Sequence, residues 1–416
     1  MRHLRLTETR PYPAAALTPA ERDSLRQLLA VQVIPTRGLE GHYDLTPGST
    51  VGTAVIGDLQ VTITPKIGVQ RLMFLLTYAL DPRQWWQYPA AATDEIDVFE
   101  AVVPAFTALT RQALHRGLLQ GYEQRADELP TVRGRIDVAT HVHRRFGQML
   151  PLAVTYDEFS EDILDNRLLK AAHHALSRLP LRNSASRTEL RRLAAPLEPV
   201  PLAYVPVSPV PAVRYTRLNE HYRPAVELAR LILASRSPEL GPADHTAVAF
   251  RVDMNKVFED FVVTALREQL GLDPVTFPQG SAHQLLHLDQ PRRVRLRPDV
   301  SWWHRGRCRF VGDVKYKRVT VQGVLHPDLY QVLSYAVAAA LPAALLIYAA
   351  GEDEPVVHTV RHLGIQLHVR TLQLNGTPAQ ILDEMSEIAE LVAKLTAADD
   401  LPLPAATTPK TGGTAI

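Results

Sequence analysis

The sequence predicts a multidomain α/β protein, with a mixed β and helical N-terminal region followed by a separate α/β domain. Three observations carry this. The chain has 416 residues, enough for two or three domains. Ser, Pro, Gly and Asp cluster over residues 235–245, the composition of a boundary. Beyond that cluster, helical and strand periodicities follow one another in an α/β pattern. The expected division is therefore residues 1–240, β-rich to about residue 150 and helical after it, then residues 241–398, then a tail over 399–416. The tail is rich in Pro, Thr and Gly and is expected to be disordered.

In the first region, Thr18, Pro19 and Glu21 have the N-cap, N1 and N3 chemistry of a short helix, with Leu25, Leu28 and Leu29 as its apolar face. Residues 51–67 read as β, with Gly57-Asp58 turning a hairpin between Val55-Ile56 and residues 59–64. Residues 72–80 are helical and stop at Asp81-Pro82. An amphipathic helix is expected over 96–119, bent at Pro104. Residues 123–135 form a polar segment that ends in Val132-Arg133-Gly134-Arg135-Ile136. Residues 156–162 lead into a helix over 163–179, and 183–193 form a basic helix. Residues 198–213 are extended, being rich in proline and valine, and 222–233 are helical again. In the second region, a helix over 255–270 has Val257, Phe258, Phe261, Val262, Ala265 and Leu266 as its core face. After a hairpin, His326-Pro327-Asp328 opens a second helix that runs to about residue 340. Residues 343–349 are a fully apolar strand, 356–360 and 365–374 add more strand, and 378–395 form the last helix.

The hairpin between Arg292 and Lys317 is the stretch with chemistry in it. Val294, Leu296, Val300 and Trp302 alternate with Arg293, Arg295, Arg297 and Asp299, the mark of a strand with one buried face. His304, Arg305 and Gly306 make the turn. Alternation then resumes, so Asp313 and Lys315 share a face. If the two halves pair, Asp299, Asp313 and Lys315 converge on one side of a small sheet. Two close carboxylates are tolerated best around a hard cation, and Mg²⁺ (or Mn²⁺) suits such oxygen ligands. A lysine beside them can orient or deprotonate a water and neutralise charge on a phosphate. This is equipment for hydrolysing a phosphodiester bond. A D-x-K tripeptide alone would favour a solvated charged face, but Pro298-Asp299 lies fourteen residues before Asp313 within the strand pattern, and that favours the hydrolytic reading. Glu259 lies beside the apolar stripe of the preceding helix. It is either a further carboxylate for the metal shell, direct or through water, or an ordinary surface glutamate. Gln331 and Tyr335 are four apart on the following helix and share a face.

Composition bounds the rest. The net charge of +1 excludes a chain that is basic throughout. Between Pro291 and Thr320, however, ten Lys or Arg residues face only Asp299 and Asp313, a local excess of +8 that suits a phosphate-facing surface. An arginine-rich edge strand that resists aggregation is compatible with this. Arg293, Arg295, Arg297 and Lys317 are the candidate DNA contacts. Cys308 is the only cysteine, so disulfides within the chain and a cysteine-ligated zinc or iron–sulfur site are excluded. No apolar run reaches the ~18–20 residues that span a bilayer, and the opening residues lack the apolar core of a secretory signal. A cytoplasmic location is expected. His141, His143, His173 and His174 have no acidic or cysteine partners at ligand spacing and read as surface or packing residues.

Pro298-Asp299 followed by Asp313-Val314-Lys315 resembles the PD-(D/E)xK nuclease signature, and Gln331 with Tyr335 is similar to the Q-x-x-x-Y pair of its RecB-like members. The resemblance implies a restriction-endonuclease-like α/β domain over 241–398. Asp299, Asp313 and Glu259 would be its Mg²⁺ ligands, Lys315 would activate water, and Gln331 and Tyr335 would support the site. The wider chain, from residue 51 to 395, resembles McrC, the nuclease subunit of McrBC modification-dependent restriction systems. The carriers are residues 61–68 and 72–79, Arg133-Gly134-Arg135-Ile136-Asp137, residues 159–170 with Asp162 and Asn166, residues 254–259, Arg297-Pro298-Asp299, residues 313–317 and residues 330–335. This resemblance implies a partner, an McrB-like AAA+ GTPase hexamer that carries the base-reading domain and receives the N-terminal region in its pore. It also implies double-stranded, modified DNA as substrate, and no membrane. The sequence agrees in having no G-x-x-x-x-G-K-[ST] loop and no zinc finger. Charged residues over 122–135 are candidates for the inserted finger. Arg133 and Arg135 are the candidate partner contacts, and Arg135 could equally cap a local turn. A stand-alone RecB-like repair nuclease and a non-cleaving adaptor of an AAA+ ring are the alternatives.

Overall fold

The computed structural model describes residues 2–83, 85, 97–144, 147–179, 181–206, 209–236, 248–280, 286–318, 326–350 and 355–398. The chain is mixed α/β with several sheets and divides into two compact units, Met1–Asp253 and Met254–Ile416. The expected division at 240/241 moves to 253/254, because the strand Val248–Asp253 pairs with a strand of the first unit. The expected tail, 399–416, lies outside the described residues.

The first unit runs β1 (Arg2–Thr7), β2 (Tyr12–Ala16), α1 (Pro19–Leu29), β3 (Gln32–Pro35), β4 (His42–Thr46), β5 (Thr50–Ile56), β6 (Leu59–Thr64), α2 (Val69–Leu80), α3 (Val98–Ala113), β7 (Gly121–Leu129), β8 (Arg135–Ile136), α4 (Val138–Arg144), β9 (Leu152–Ser160), α5 (Leu164–Ser177), α6 (Ser184–Ala194), α7 (Arg223–Ala234) and β10 (Val248–Asp253). The capping box of α1 is present: Glu21 N donates to Thr18 Oγ1 at 3.2 Å and Thr18 N donates to Glu21 Oε2 at 2.8 Å. Leu25, Leu28 and Leu29 are buried beneath it. The expected β5–β6 hairpin is the centre of a sheet in the order β1-β6-β5-β10, to which β1 adds in parallel and β10 antiparallel. The helix expected over 96–119 stops at Ala113. A single 3₁₀ turn, Leu114–Arg116, follows, and Gly117 leaves the helix at φ 89°.

Much of the polar segment expected over 123–135 is strand: residues 121–129 form β7. It pairs along its whole length with β9, whose other edge takes β8. No residue of β7 is buried, so no apolar alternation marks it in the sequence. Gly134 has φ 69°, and a Cβ there would lie 2.4 Å from Thr155 O, so only glycine lets the chain turn onto β9.

The second unit runs α8 (Met254–Leu270), β11 (Leu286–His287), β12 (Arg295–Leu296), β13 (Val300–His304), β14 (Arg307–Arg318), α9 (His326–Ala339), β15 (Ala343–Ala350), β16 (Val356–Thr359), β17 (Gln366–Thr371) and α10 (Pro378–Ala398). Its sheet has the order β13-β14-β15-β17-β16. β13 and β14 form the expected hairpin through Arg305 and Gly306, both at positive φ (50° and 78°), as a turn matched to strand twist requires. β14, β15 and β17 are parallel, with α9 crossing over between β14 and β15. Val311, Val332, Tyr335, Ala336, Leu346, Leu367 and Val369 pack together on the α9 face. Side chains alternate along a strand, so Tyr316 points to the other face, where its ring lies 5.9 Å from that of Phe258 on α8.

One expectation changes here. The alternation from Val294 to Trp302 is not a single strand. Arg295–Leu296 pairs with β11 as a separate two-stranded ribbon, and β13 begins only at Val300. Pro298 lies between them and has no N–H to continue a ladder. Val294, expected to be buried, is 47% exposed. A register shift falls between Trp302 and Trp303, and Trp303 packs against the α9-side core.

Candidate functional site

The strands that carry the site approach unusually closely. Gly312 pairs with Val300 on β13 and with Leu345 on β15. A Cβ on Gly312 would lie 2.8 Å from Leu345 O and 2.8 Å from Val300 Cγ2. The bare backbone therefore lets three strands close, directly beside Asp313 and Asp299.

Asp313 and Lys315 share a face, as their spacing predicts, and it is the face toward α9. Asp313 is fully buried. Lys315 Nζ is ion-paired with Asp313 Oδ2. Gln331 Nε2 donates to Asp313 Oδ1 at 3.5 Å, a weak bond, and to Tyr335 OH at 2.7 Å. Tyr335 OH in turn donates to Arg297 O at 3.1 Å. Val314 N–H donates to Asp299 Oδ2 at 2.9 Å. So α9 ties together the strand that bears Asp313 and the segment that leads into Asp299. The structure brings Asp299, Asp313, Lys315, Gln331 and Tyr335 into one cluster.

The electrostatics follow from that crowding. Burial, and then the charge of Asp313, push the Asp299 carboxyl well above the usual carboxylate range. Burial also pushes Asp313 up, in spite of Lys315. Burial works against the Lys315 ammonium, but its pairing with Asp313 and the charges of Asp299 and Asp328 outweigh this and hold it above its ordinary value. Two carboxyls that resist joint ionisation, beside a lysine, are a donor set that fits a hard divalent cation held by one or two carboxylates. Among the described residues, no three His, Cys, Asp or Glu side chains form a group that could hold a metal. Glu259 therefore does not complete a preformed triad. It is half-buried on α8, and burial pushes it up, with the Asp299 charge contributing.

Several residues of this region went unread in the sequence. Gln279 donates to Glu259 and to Asp260. Asp328, buried in the first turn of α9, accepts from Tyr348 OH at 2.7 Å and pairs with Lys317 Nζ at 3.3 Å. The i, i+3 and i, i+4 spacing of Lys256, Glu259 and Asp260 could have revealed their ion pairs. Nothing in the local pattern marks Gln279.

Of the expected DNA contacts, Arg293, Arg295 and Arg297 are exposed. Arg295 lies on the β11–β12 ribbon rather than on the five-stranded sheet, and Arg293 lies just before it. Lys317 is half-exposed on β14. In the first unit, the Arg133 guanidinium sits 3.9 Å from the centre of the Tyr156 ring and 3.5 Å from Glu158, while Arg135 is exposed on β8. His141 and His173 bond to backbone groups, in keeping with packing roles.

A family model described as McrBC 5-methylcytosine restriction system component matches residues 45–349, well over half of the chain. The chain belongs to that family. This McrBC-family chain shares its fold with a chain from the Thermococcus gammatolerans half-complex refined from a tetradecameric assembly of McrB AAA+ hexamers with bound McrC. The TM-score is 0.51 at 16% identity, covering 93% of this chain and 100% of that one. A chain from the cryo-EM structure of the Thermococcus gammatolerans McrBC complex matches with a TM-score of 0.39 at 19% identity, covering 64% of this chain and 88% of that one. A search of curated proteins finds no match. No helix of the described residues is long and apolar enough to cross a membrane.

Proposed function

We propose that this McrBC-family chain is an McrC-type subunit: a Mg²⁺-dependent DNA endonuclease of the PD-(D/E)xK kind, driven by an McrB-like AAA+ GTPase hexamer. The observation that carries the reading is the convergence of Asp299, Asp313 and Lys315 on one sheet face, strapped by Gln331 and Tyr335. The partner follows from family membership and from the McrB hexamers with bound McrC in a solved relative of the same fold.

Asp299 and Asp313 would hold Mg²⁺, with Mn²⁺ as a substitute, and Glu259 would assist from outside. The ion, when bound, supplies Lewis-acid stabilisation of the charge that builds on the phosphate. Lys315 positions the attacking water and balances charge at the same place. Lys315 pairs with the Asp313 carboxylate, Gln331 adds a weak bond to it, and Tyr335 pins the backbone just before Asp299. Arg293, Arg295, Arg297 and Lys317 hold the DNA backbone, and Arg133 and Arg135 contact the partner.

The test is cleavage of modified and unmodified plasmid with Mg²⁺, with and without the AAA+ partner and GTP or ATP. Cleavage that needs partner and nucleotide, and is lost in Asp313→Ala, supports the reading. Cleavage by the chain alone identifies a stand-alone nuclease instead. Stimulated nucleotide hydrolysis without cleavage identifies a non-cleaving adaptor.

A further inference from the structure

Gln279 joins two acidic residues of α8 to the strand that follows Asp299. It lies in the connection between α8 and β11. Its side-chain Nε2 donates to Glu259 Oε1 at 2.7 Å and to Asp260 Oδ1 at 2.6 Å. Its backbone forms an isolated antiparallel bridge with Val300, the residue after Asp299. The next amide, Gly280 N, donates to Asp299 O at 3.4 Å. From the helix itself, Lys256 Nζ reaches the same two oxygens, Glu259 Oε1 at 3.4 Å and Asp260 Oδ1 at 2.8 Å. None of these bonds uses Glu259 Oε2.

We propose that Gln279 is a positioning residue that holds Glu259 beside the Asp299–Asp313 pair as an outer carboxylate, so that Glu259 assists divalent-cation binding through water rather than as a third direct ligand. The inference rests on the metal-dependent reading given above. Two features support it. Gln279 is anchored on both sides, by its side chain to α8 and by its backbone to the Asp299 strand, so it sets the position of one relative to the other. A neutral amide restrains two adjacent carboxylates without adding a positive charge that would compete with a cation; the charged Lys256 is 53% exposed. Partners that orient the surroundings of a bound metal are typically worth about 10–100-fold in affinity.

The experiment is calorimetric titration of the full chain with MnCl₂ and with MgCl₂. The wild type is compared with Gln279→Met, Gln279→Ala, Glu259→Gln, Gln279→Met/Glu259→Gln and Asp313→Ala, and each chain is melted without metal. Gln279→Met keeps the volume and loses the amide donors; Gln279→Ala removes them by truncation, with no new charge beside Glu259 and Asp260. Either is expected to weaken metal binding about 10–100-fold with a melting temperature close to wild type. The double variant should bind no more weakly than its weaker parent, because both changes remove one interaction. If Gln279→Met binds as wild type does, Gln279 only fills space and the proposal is overturned. If the two effects simply multiply, Gln279 does not act through Glu259 and the proposal is overturned as well. Should Gln279→Met fail to fold, Gln279→Ala and Glu259→Gln carry the comparison. If the wild type and Asp313→Ala bind the ions alike, the metal-dependent reading itself fails and takes this inference with it, a result distinct from failure at Gln279 alone.

Discussion

Gly312→Ala separates the site from its scaffold most sharply. The new methyl would stand 2.8 Å from the carbonyl oxygen of Leu345 and 2.8 Å from Val300 Cγ2. The valine methyl can turn away, but the Leu345 oxygen belongs to the β14–β15 ladder and cannot. The strands must part by a few tenths of an ångström or more, and overpacking of this kind costs about 1–3 kcal/mol. For a folding unit of this size, each kcal/mol moves the melting temperature by about 2–4 °C, so a fall of about 2–12 °C is expected. The displacement falls between Val300 and Asp313, which is where the two carboxylates meet. A shift of about 1 Å in a reacting group can cost 10²-fold in rate, so a shift of a few tenths of an ångström should slow cleavage several-fold. Thermal melting of the metal-free chain, followed by plasmid cleavage with the AAA+ partner, measures both. A variant that melts within a degree of wild type and cleaves as fast would refute the close packing and its link to the site.

Tyr335→Phe removes the donor to Arg297 O, leaves that carbonyl short of a partner and should cost about 1–3 kcal/mol by urea denaturation, with slower cleavage. An unchanged midpoint would show that the bond does not hold the segment. Asp299 is pushed up to about 7 by burial and Asp313, above the ~3.9 of an unfolded chain. A folded carboxyl that keeps its proton longer than the unfolded one favours folding at low pH. That contribution is intact below pH ~4 and is lost as the pH rises through about 7. Asp299→Asn should therefore melt higher than wild type without metal at pH 8 and similarly at pH 4, and the opposite order would count against the buried pair. Arg133→Lys keeps the charge but loses the guanidinium over the Tyr156 ring, and stimulation of partner nucleotide hydrolysis should fall about two- to fivefold, the equivalent of ~0.5–1 kcal/mol. Equal stimulation by both proteins would remove Arg133 from the partner contact.

Much of this was legible because it is written in short-range pattern. The capping chemistry of Thr18 and Glu21, the Gly57-Asp58 hairpin, the amphipathic α8, the apolar β15 and the shared face of Asp313 and Lys315 each depend on neighbours within one turn or one strand. So does the pairing of Gln331 with Tyr335, which are one helical turn apart. The misreadings have a common cause too. β7 buries none of its residues, so its partner strand and not its own composition makes it a strand. The alternation that begins at Val294 continues through Pro298 in the sequence, while the backbone there divides into a separate ribbon and β13.

The sequence by itself determined which residue types are available and which faces they take within each element. It placed two carboxylates and a lysine where strand periodicity could bring them together. Only the tertiary structure decided that β14 lies between β13 and β15 at a spacing that excludes a Cβ from Gly312, that β10 closes the first unit's sheet, and that Gln279 reaches Glu259 across twenty residues of chain. These are contacts between segments distant in sequence. Their energy comes from close packing and from paired buried polar groups, and neither exists until the segments have met.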